Sequence, residues 1–228
     1  MNLFIIPFYV SLLCLQPYFF TVDTDEKMKY LALGDSYTIG ERVEPMQLFP
    51  IQLVKKLKRE GLDFNEPEII AKTGWTTDEL IAEIDRAKPE CNFDLVTLLI
   101  GVNNQYRGRD INNYKEEFEV LLKKAIEFSG GNKEKVIVIS IPDYGVTPFG
   151  RKKGRKKIAI EIDQFNTANL EISSRYKVAY VDITEISRRA YRKNSLIAED
   201  GLHPSGEMYA QWVDEILPVA SKILHNQR

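Results

Sequence analysis

The stretch "KYLALGDSYTIG", residues 29–40, joins a short apolar run to a glycine and a polar turn, and this pattern recurs along the chain. Tyr30 to Leu33 are apolar, Gly34 ends the run and Ser36 follows two residues later. A continuous apolar run of this length is typical of a strand that is buried on both faces. Ser36 therefore follows a predicted strand, where it could close a turn, hold a phosphate or act as a nucleophile.

Four more apolar runs predict four more strands: "EIIA", "DLVTLLIG", "KVIVISI" and "VAYVDI". The segments between them place apolar residues at helical spacing, and Thr76 with Glu79 forms a capping box ahead of one of them. The clearest helical stretches are Tyr114 to Phe128, Ile158 to Ile172 and Met208 to Ile216. Strands that alternate with helices in this way predict a parallel sheet with helices on both faces.

The composition of the 228 residues fits one folded domain and excludes several classes of protein. The chain is 44% hydrophobic and 28% charged, which supplies enough apolar material for a sizeable core. Its formal net charge of -2 gives no indication of a nucleic-acid binder. Two cysteines, Cys14 and Cys91, and two histidines, His203 and His225, are too few for a disulfide framework or a zinc site. We therefore expect neither a metal nor another cofactor.

The first 22 residues carry no charged side chain and stand apart from the rest. We treat residues 1–27 as an apolar N-terminal segment and residues 28–228 as the folded domain. The segment could be a secretory signal peptide, a membrane anchor or the product of a mis-assigned start, since "MKYLALG" begins at Met28. We favour export, to the periplasm, the medium or a membrane surface, whereas a true start at Met28 would make the protein cytoplasmic.

The carboxyl ends of the predicted strands are where we expect a ligand, because open α/β sheets bind ligands there. Glycine and polar residues gather after the runs, in "GDSYTIG", "KTGWTT", "GVNNQYRG", "PDYGVTPFG" and "DITEIS". The sequence contains no phosphate loop, no dinucleotide fingerprint, no H-E-x-x-H zinc motif and no G-x-S-x-G nucleophile elbow. A nucleophilic Ser36 would therefore belong to a different setting.

A nucleophilic serine needs an adjacent base, which is usually a histidine. His225 lies near the end of the chain, whereas His203 lies in "EDGLHPSG" with Asp200 three residues before it. A glycine-containing loop can fold that carboxylate against the imidazole, which fixes the tautomer and leaves the other nitrogen free to accept a proton. The same residues also suit the start of a helix, with Pro204 and Ser205 at its first positions, and both interpretations can hold together.

Four motifs, in order, resemble those of the SGNH (GDSL) hydrolases, and the resemblance covers nearly the whole chain from Met28 onward. The motifs are "GDSY" at 34–37, the glycine of "KTGWTT" at 74, "GVNN" at 101–104 and "DGLHP" at 200–204. The resemblance implies a flavodoxin-like, three-layer α/β/α sandwich with a five-stranded parallel sheet. It also implies serine esterase chemistry that uses no metal.

The resemblance assigns a role to five residues. Ser36 would be the nucleophile, His203 the base and Asp200 the carboxylate that orients the base. The oxyanion donors would be the backbone N–H groups of Ser36 and Gly74 and the side-chain amide of Asn103. These residue types suit the task, because glycine lets the backbone approach a substrate closely and an asparagine amide is a neutral donor.

Residues beside the motifs are candidates for the substrate pocket. Asn104 stands where the family usually carries aspartate, so we expect its local hydrogen bonds to differ. Aromatic and amide side chains would suit a sugar, whereas apolar ones would suit an acyl chain. The candidates are Trp75, Asn104, Gln105, Tyr106, Pro142, Tyr144 and Leu202.

Three functions remain open at this point. We favour a lysophospholipase or lipase-like esterase that acts on a lipid ester. A carbohydrate O-acetyl esterase is the alternative within the same chemistry, and a catalytically silent binding protein on the same fold is the alternative from another class. We expect a small-molecule, lipid or carbohydrate ester as substrate, no nucleic-acid partner and a monomeric protein.

The stretch "RKKGRKK", residues 151–157, contains six basic residues in seven. We expect a solvated loop here, following the fourth strand. Because this strand end faces the catalytic side of the sheet, the loop could also form a cationic rim that attracts anionic substrates or an anionic surface. The residues in question are Arg151, Lys152, Lys153, Arg155, Lys156 and Lys157.

Overall fold

A computed structural model of the protein describes residues 27–226. Apart from Lys27, the apolar N-terminal segment lies outside the described residues, so its role as signal peptide, anchor or mis-assigned start stays a prediction. Among the helices of residues 27–226, none combines the length and the apolar character that a membrane crossing needs.

Five parallel strands form a single sheet in the order β2-β1-β3-β4-β5. They match the five predicted apolar runs and confirm the predicted parallel sheet. Every residue of the three central strands is buried, whereas the two edge strands are partly exposed. The strands are β1 (Tyr30–Asp35), β2 (Glu68–Lys72), β3 (Leu95–Leu99), β4 (Val136–Ile139) and β5 (Ala179–Val181).

Eight α-helices connect the strands or follow the last one within the described part of the chain. They include the three clearest predicted helical stretches. The helices are α1 (Ser36–Ile39), α2 (Phe49–Arg59), α3 (Thr77–Ala87), α4 (Val102–Tyr106), α5 (Ile111–Phe128), α6 (Pro148–Tyr176), α7 (Thr184–Arg188) and α8 (Gly206–His225).

The longer helices form a layer on each side of the sheet. One layer contains α2 packed against α8, and the other contains α3, α5 and α6 packed in series. The chain runs from β1 out to β2 and then back across to β3, and right-handed crossovers place the helices on opposite faces when the direction reverses. This confirms the predicted three-layer α/β/α sandwich. Both layers contribute large buried side chains, such as Tyr114 on α5 and Trp212 on α8.

Side-chain caps fix where the helices near the carboxyl edge of the sheet begin. Thr76 and Glu79 form the predicted capping box at the start of α3, in which Glu79 accepts the Thr76 N–H at 2.9 Å. Ser205 caps α8 by accepting the N–H of Met208, so the predicted helix start at this position is confirmed.

The prediction of a loop at residues 151–157 is wrong, because this segment, here called the basic segment, lies within α6. The helix begins after Thr147, whose hydroxyl accepts the Gly150 N–H at 3.0 Å. The charge run is interrupted only at Gly154, where φ is +109° and the helix kinks. The guanidinium groups of Arg151 and Arg155 lie over the ring of Tyr191, which gives two of the charges a partner.

Candidate active site

Ser36 is the first residue of α1 and directly follows β1, so the sheet itself places it at the carboxyl edge. Asp35 caps this short helix by accepting the N–H of Tyr37 at 3.0 Å. Gly34 is required here, because a Cβ atom would lie 2.1 Å from the Thr38 hydroxyl oxygen and 2.4 Å from the Leu99 carbonyl oxygen. The serine is consequently held on a tight turn between strand and helix.

The structure brings Ser36, His203 and Asp200 together, as the sequence predicts. His203 Nε2 lies 3.1 Å from the Ser36 hydroxyl oxygen, and His203 Nδ1 lies 2.6 Å from Asp200 Oδ2. The imidazole therefore bridges the hydroxyl and the carboxylate. Ser36 and His203 are buried, and the ring of Tyr37 meets the His203 ring edge-on at a centroid distance of 5.8 Å.

The loop that carries Asp200 and His203 is fixed by its own hydrogen bonds. Asp200 Oδ1 accepts the backbone N–H groups of Leu202 at 2.9 Å and His203 at 3.0 Å, a local Asx-type turn. Gly201 adopts a φ of +71°, which favours glycine, and its carbonyl accepts the N–H of Phe149 at 3.1 Å. The spacing of "DGLH" is thus what presents the carboxylate to the imidazole.

The pKa values of the two carboxylates near Ser36, Asp200 and Asp35, are shifted in opposite directions. Burial alone would raise the pKa of Asp200, but the hydrogen bonds from the His203 ring and from two backbone N–H groups outweigh it and hold the pKa below its usual range. Asp35 is fully buried, and this burial raises its pKa to about 7, although the bond from the Tyr37 N–H opposes the shift. Asp200 therefore carries its charge at neutral pH, and Asp35 is the group that changes charge there.

The three predicted oxyanion groups retain hydrogen-bond donors that the described part of the fold does not use, although Gly74 is not among the residues that line the cavity beside Ser36. Ser36 is the first residue of a helix, so its N–H has no partner within that helix. Gly74 adopts a φ of +86°, its carbonyl accepts Arg107 Nη2 at 2.6 Å, and its N–H has no hydrogen-bond partner within residues 27–226. The Asn103 amide donates one hydrogen to the Trp75 carbonyl at 2.9 Å and keeps a second one.

A cavity of about 230 Å³ opens beside the serine. Besides Ser36 and His203, four of the predicted site or pocket residues form part of the cavity wall: Asn103, Tyr106, Tyr144 and Leu202. Tyr37, Val102 and Phe149 also line the cavity but were not predicted to do so, although Tyr37 and Val102 lie within two of the motifs and Phe149 lies in the stretch that follows β4. The full lining is Ser36, Tyr37, Val102, Asn103, Tyr106, Tyr144, Phe149, Leu202 and His203.

Four of the predicted pocket residues do not line this cavity. The Gln105 amide donates to Glu161 at 2.7 Å, which links α4 to α6. Trp75 contributes the carbonyl that holds Asn103, and its side chain packs against the core. Pro142 lies in a neighbouring, much smaller crevice behind Tyr37 and His203. The fourth is Asn104, whose side chain is turned into the protein.

Asn104 connects α4 to the start of α3. Its Oδ1 accepts the Thr77 N–H at 3.1 Å, and its Nδ2 donates to the Thr77 hydroxyl at 2.6 Å. The same hydroxyl donates to Glu117 on α5. A carboxylate at position 104 could not donate to this hydroxyl, so the local bonding depends on the amide. The hydrogen bonds of Asn104 therefore lie within the fold and outside the cavity, and the expected difference from the family stays a prediction.

The part of the chain from residue 27 to residue 226 contains no group of three or more His, Cys, Asp or Glu side chains placed to hold a metal ion. Asp200 and His203, the acidic and imidazole groups that face the Ser36 hydroxyl, bond to each other, and Asp35 accepts the Tyr37 N–H. The polar groups available for chemistry here are a hydroxyl, an imidazole with its carboxylate and several neutral N–H donors.

Comparison with solved structures shows the same fold in other proteins. TesA is 18% identical, with a TM-score of 0.67 over 86% of this chain and 100% of TesA. A lipase/acylhydrolase from Enterococcus faecalis is 22% identical, with a TM-score of 0.65 over 86% of this chain and 96% of that one. A variant of an acetyl-xylooligosaccharide esterase from Geobacillus is 19% identical, with a TM-score of 0.63 over 85% and 94%.

Comparison of sequences gives a curated relative and a family. A probable acid phosphatase of Dictyostelium discoideum is 28% identical over 137 residues, which make up 57% of this chain and 29% of that protein, so the match spans less than a third of the relative's length. Residues 32–211, which hold Ser36, Gly74, Asn103, Asp200 and His203, match the GDSL-like lipase/acylhydrolase family. The match extends over well more than half of the sequence, and the chain therefore belongs to the GDSL-like lipase/acylhydrolase family.

Proposed function

We propose that this protein is a serine esterase that hydrolyses carboxylic esters through an acyl-enzyme. The observation that carries the proposal is the position of the His203 imidazole, 3.1 Å from the Ser36 hydroxyl on one side and 2.6 Å from the Asp200 carboxylate on the other. Both distances fall within the reach that proton transfer requires. Membership of the family supports the same class of reaction.

Acylation begins when His203 Nε2 accepts the proton of Ser36 as its oxygen attacks the ester carbonyl. The carboxylate of Asp200 holds the proton on Nδ1, so that Nε2 is the free acceptor, and it stabilises the imidazolium that forms. The bond to the leaving alkoxide then breaks, and the imidazolium returns the proton to it. The products of this half-reaction are the free alcohol and an ester of Ser36.

The negative charge that develops on the carbonyl oxygen needs donors that are already in place. The Ser36 N–H, the Gly74 N–H and the second amide hydrogen of Asn103 are the three candidates. Asn103 is held by its bond to the Trp75 carbonyl, so this donor is in place before the reaction, and Arg107 anchors the turn at Gly74 through the Gly74 carbonyl. Water then attacks the Ser36 ester, with His203 again accepting the proton, and the acid leaves.

The apolar part of the cavity wall supports an acyl chain as the group bound there. Val102, Phe149 and Leu202 present only hydrocarbon to the cavity, beside the rings of Tyr106 and Tyr144. The amides of Asn104 and Gln105, which a sugar could have used, bond within the fold instead. At about 230 Å³ the cavity equals roughly seven to eight water volumes, so it suits a short to medium chain and leaves the rest of the substrate outside. We therefore favour a lysophospholipase or lipase-like esterase.

Hydrolysis of p-nitrophenyl esters from acetate to decanoate tests this proposal. We expect turnover by the purified protein, with a kcat/KM that rises from acetate to a medium chain length and then falls. Cleavage of acetate alone would support carbohydrate deacetylation, and no cleavage of any ester would support a silent binding protein. Ser36→Ala protein is the control for hydrolysis that does not use the site.

A further inference from the structure

Three aromatic rings form the outer wall of the cavity beside Ser36, and a cation lies against one of them. Tyr106, Tyr144 and Phe149 have ring centroids 6.1 to 6.5 Å apart. Tyr106 is 49% exposed, so this part of the cavity opens to solvent. The Lys153 Nζ atom lies 5.6 Å from the centroid of the Phe149 ring. Lys153 is therefore the residue of the basic segment that reaches the cavity wall.

The arginines of the basic segment are occupied elsewhere. The guanidinium of Arg151 donates to the Val146 carbonyl at 2.8 Å and lies 4.7 Å from the Tyr191 ring centroid. The guanidinium of Arg155 lies 3.9 Å from the same centroid. These contacts fix the kinked start of α6 on the side of Tyr191. Lys153, which precedes Gly154, has its contact on the side of the cavity instead.

Among the described residues, the ammonium group of Lys153 has no carboxylate partner. No salt bridge joins it to any acidic residue within residues 27–226, whereas Lys157 in the same segment pairs with Glu161 at 3.7 Å. The cavity lining contains no Asp or Glu, and the sequence neighbours of Lys153 are themselves basic. A cation beside apolar rings, with other cations around it, attracts an anion more strongly than an isolated lysine in water does.

We propose that Lys153 selects esters whose alcohol part carries a negative charge. The apolar part of the ester lies against the three rings, and the anionic group, a phosphate or sulfate, pairs with the Lys153 ammonium at the cavity mouth. A lipid head group and a small soluble ester can both present this chemistry. The inference rests on the proposed esterase function and names the substrate class of the same site.

The neighbouring Lys152 gives a matched control for Lys153. It is exposed and carries the same charge, and it has no contact with a ring or with the cavity wall within the described residues. We compare Lys153→Gln with Lys152→Gln on two soluble esters of equal acyl length, one with a sulfated and one with an uncharged aromatic alcohol. Both variants lose one charge, so their difference measures the local contact rather than the overall field.

We expect Lys153→Gln to lower kcat/KM on the sulfated ester about fivefold to tenfold at low ionic strength, mainly through KM, and to leave the neutral ester unchanged. Lys152→Gln should change neither by more than about twofold. The loss should shrink in about 1 M salt, where the Debye length falls to about 3 Å. Equal losses in both variants, or no loss in either, would overturn the proposal.

Two further experiments complete the test. One distinguishes a lipid head group from a small soluble ester, and the other distinguishes failure of this inference from failure of the esterase function. The same anionic head group presented on an ester in neutral phospholipid vesicles should show the same Lys153 dependence, and a dependence seen only with vesicles would contradict direct pairing. Binding of the sulfated ester to Ser36→Ala protein, measured by calorimetry, should weaken fivefold or more when Lys153→Gln is added. Turnover without any Lys153 effect would defeat this inference alone, whereas binding without turnover would defeat the esterase function alone.

Discussion

Asn104 gives a hydrogen bond to the hydroxyl of Thr77 at 2.6 Å and accepts one from the Thr77 N–H at 3.1 Å. The hydroxyl has a single proton, which it donates to Glu117. The three residues together join α3, α4 and α5. The Thr77 hydroxyl therefore receives a hydrogen bond only when position 104 supplies a donor.

Asn104→Asp should consequently destabilise the protein, because two carboxylates would then compete for one hydroxyl proton at a buried position. We expect a loss of about 1–3 kcal/mol in the free energy of unfolding, measured by urea denaturation. Adding Glu117→Gln should recover most of this loss, since the glutamine can donate where the asparagine did. Additive effects of the two substitutions would contradict the network.

Ser36→Ala and His203→Ala should each reduce kcat by several orders of magnitude while the protein stays folded. The two residues act in one step, so the double variant should be hardly worse than either single variant. Ester hydrolysis and circular dichroism of the three variants check this. Near-native turnover by folded His203→Ala protein would show that another group is the base.

Asn103→Ala should lower kcat by about a hundredfold to a thousandfold, which is the usual effect of removing one oxyanion donor. The loss should fall on kcat because the donor serves the transition state more than the bound ester. Steady-state kinetics on one good p-nitrophenyl ester separate the two constants. An unchanged kcat with a raised KM would make Asn103 a substrate-binding residue instead.

The stability of the protein should depend on the charge of Asp35. Its pKa is about 7 in the folded protein, raised by burial from a usual value of 3.8. Between these two pKa values the folded state keeps a proton that the unfolded chain loses. The contribution of protonated Asp35 to the stability of the folded state is therefore complete below about pH 4 and is lost as the pH rises through 7. Asp35→Asn retains an acceptor for the Tyr37 N–H but cannot ionise.

Urea unfolding at pH 5 and pH 8 measures this effect. The stability of Asp35→Asn relative to the wild type should increase by on the order of 2 kcal/mol between the two pH values, because only the wild type must bury the charge at pH 8. The same difference at both pH values would mean that Asp35 does not titrate in this range.

Much of the fold and the centre of the site can be predicted from the sequence, because both depend on local patterns. Strands buried on both faces read as continuous apolar runs, and the Asx turn at Asp200 brings His203 to its carboxylate within four residues. The position of Ser36 after β1 then follows from the parallel topology. These features need no knowledge of distant contacts.

The remaining features depend on contacts between residues far apart in the chain. Phe149 has the same apolar character as a core residue, and it lines the cavity at a point where its N–H bonds to Gly201, about fifty residues later in the chain. Gln105 could have faced the substrate, but Glu161 on α6 takes its amide. In the sequence, the basic segment resembles a solvated loop. Its two arginines are held by the ring of Tyr191, which comes about forty residues later.

Covalent labelling of Ser36 tests the central claim most directly. The protein is treated with a serine-directed alkyl phosphonate ester, digested and analysed by mass spectrometry, with Ser36→Ala and His203→Ala proteins alongside. We predict one adduct on the peptide that contains Ser36, with stoichiometric loss of ester hydrolysis, no adduct in Ser36→Ala and strongly slowed labelling in His203→Ala. Inactivation with the adduct on another residue, or full hydrolysis by an unlabelled Ser36→Ala protein, would contradict the account.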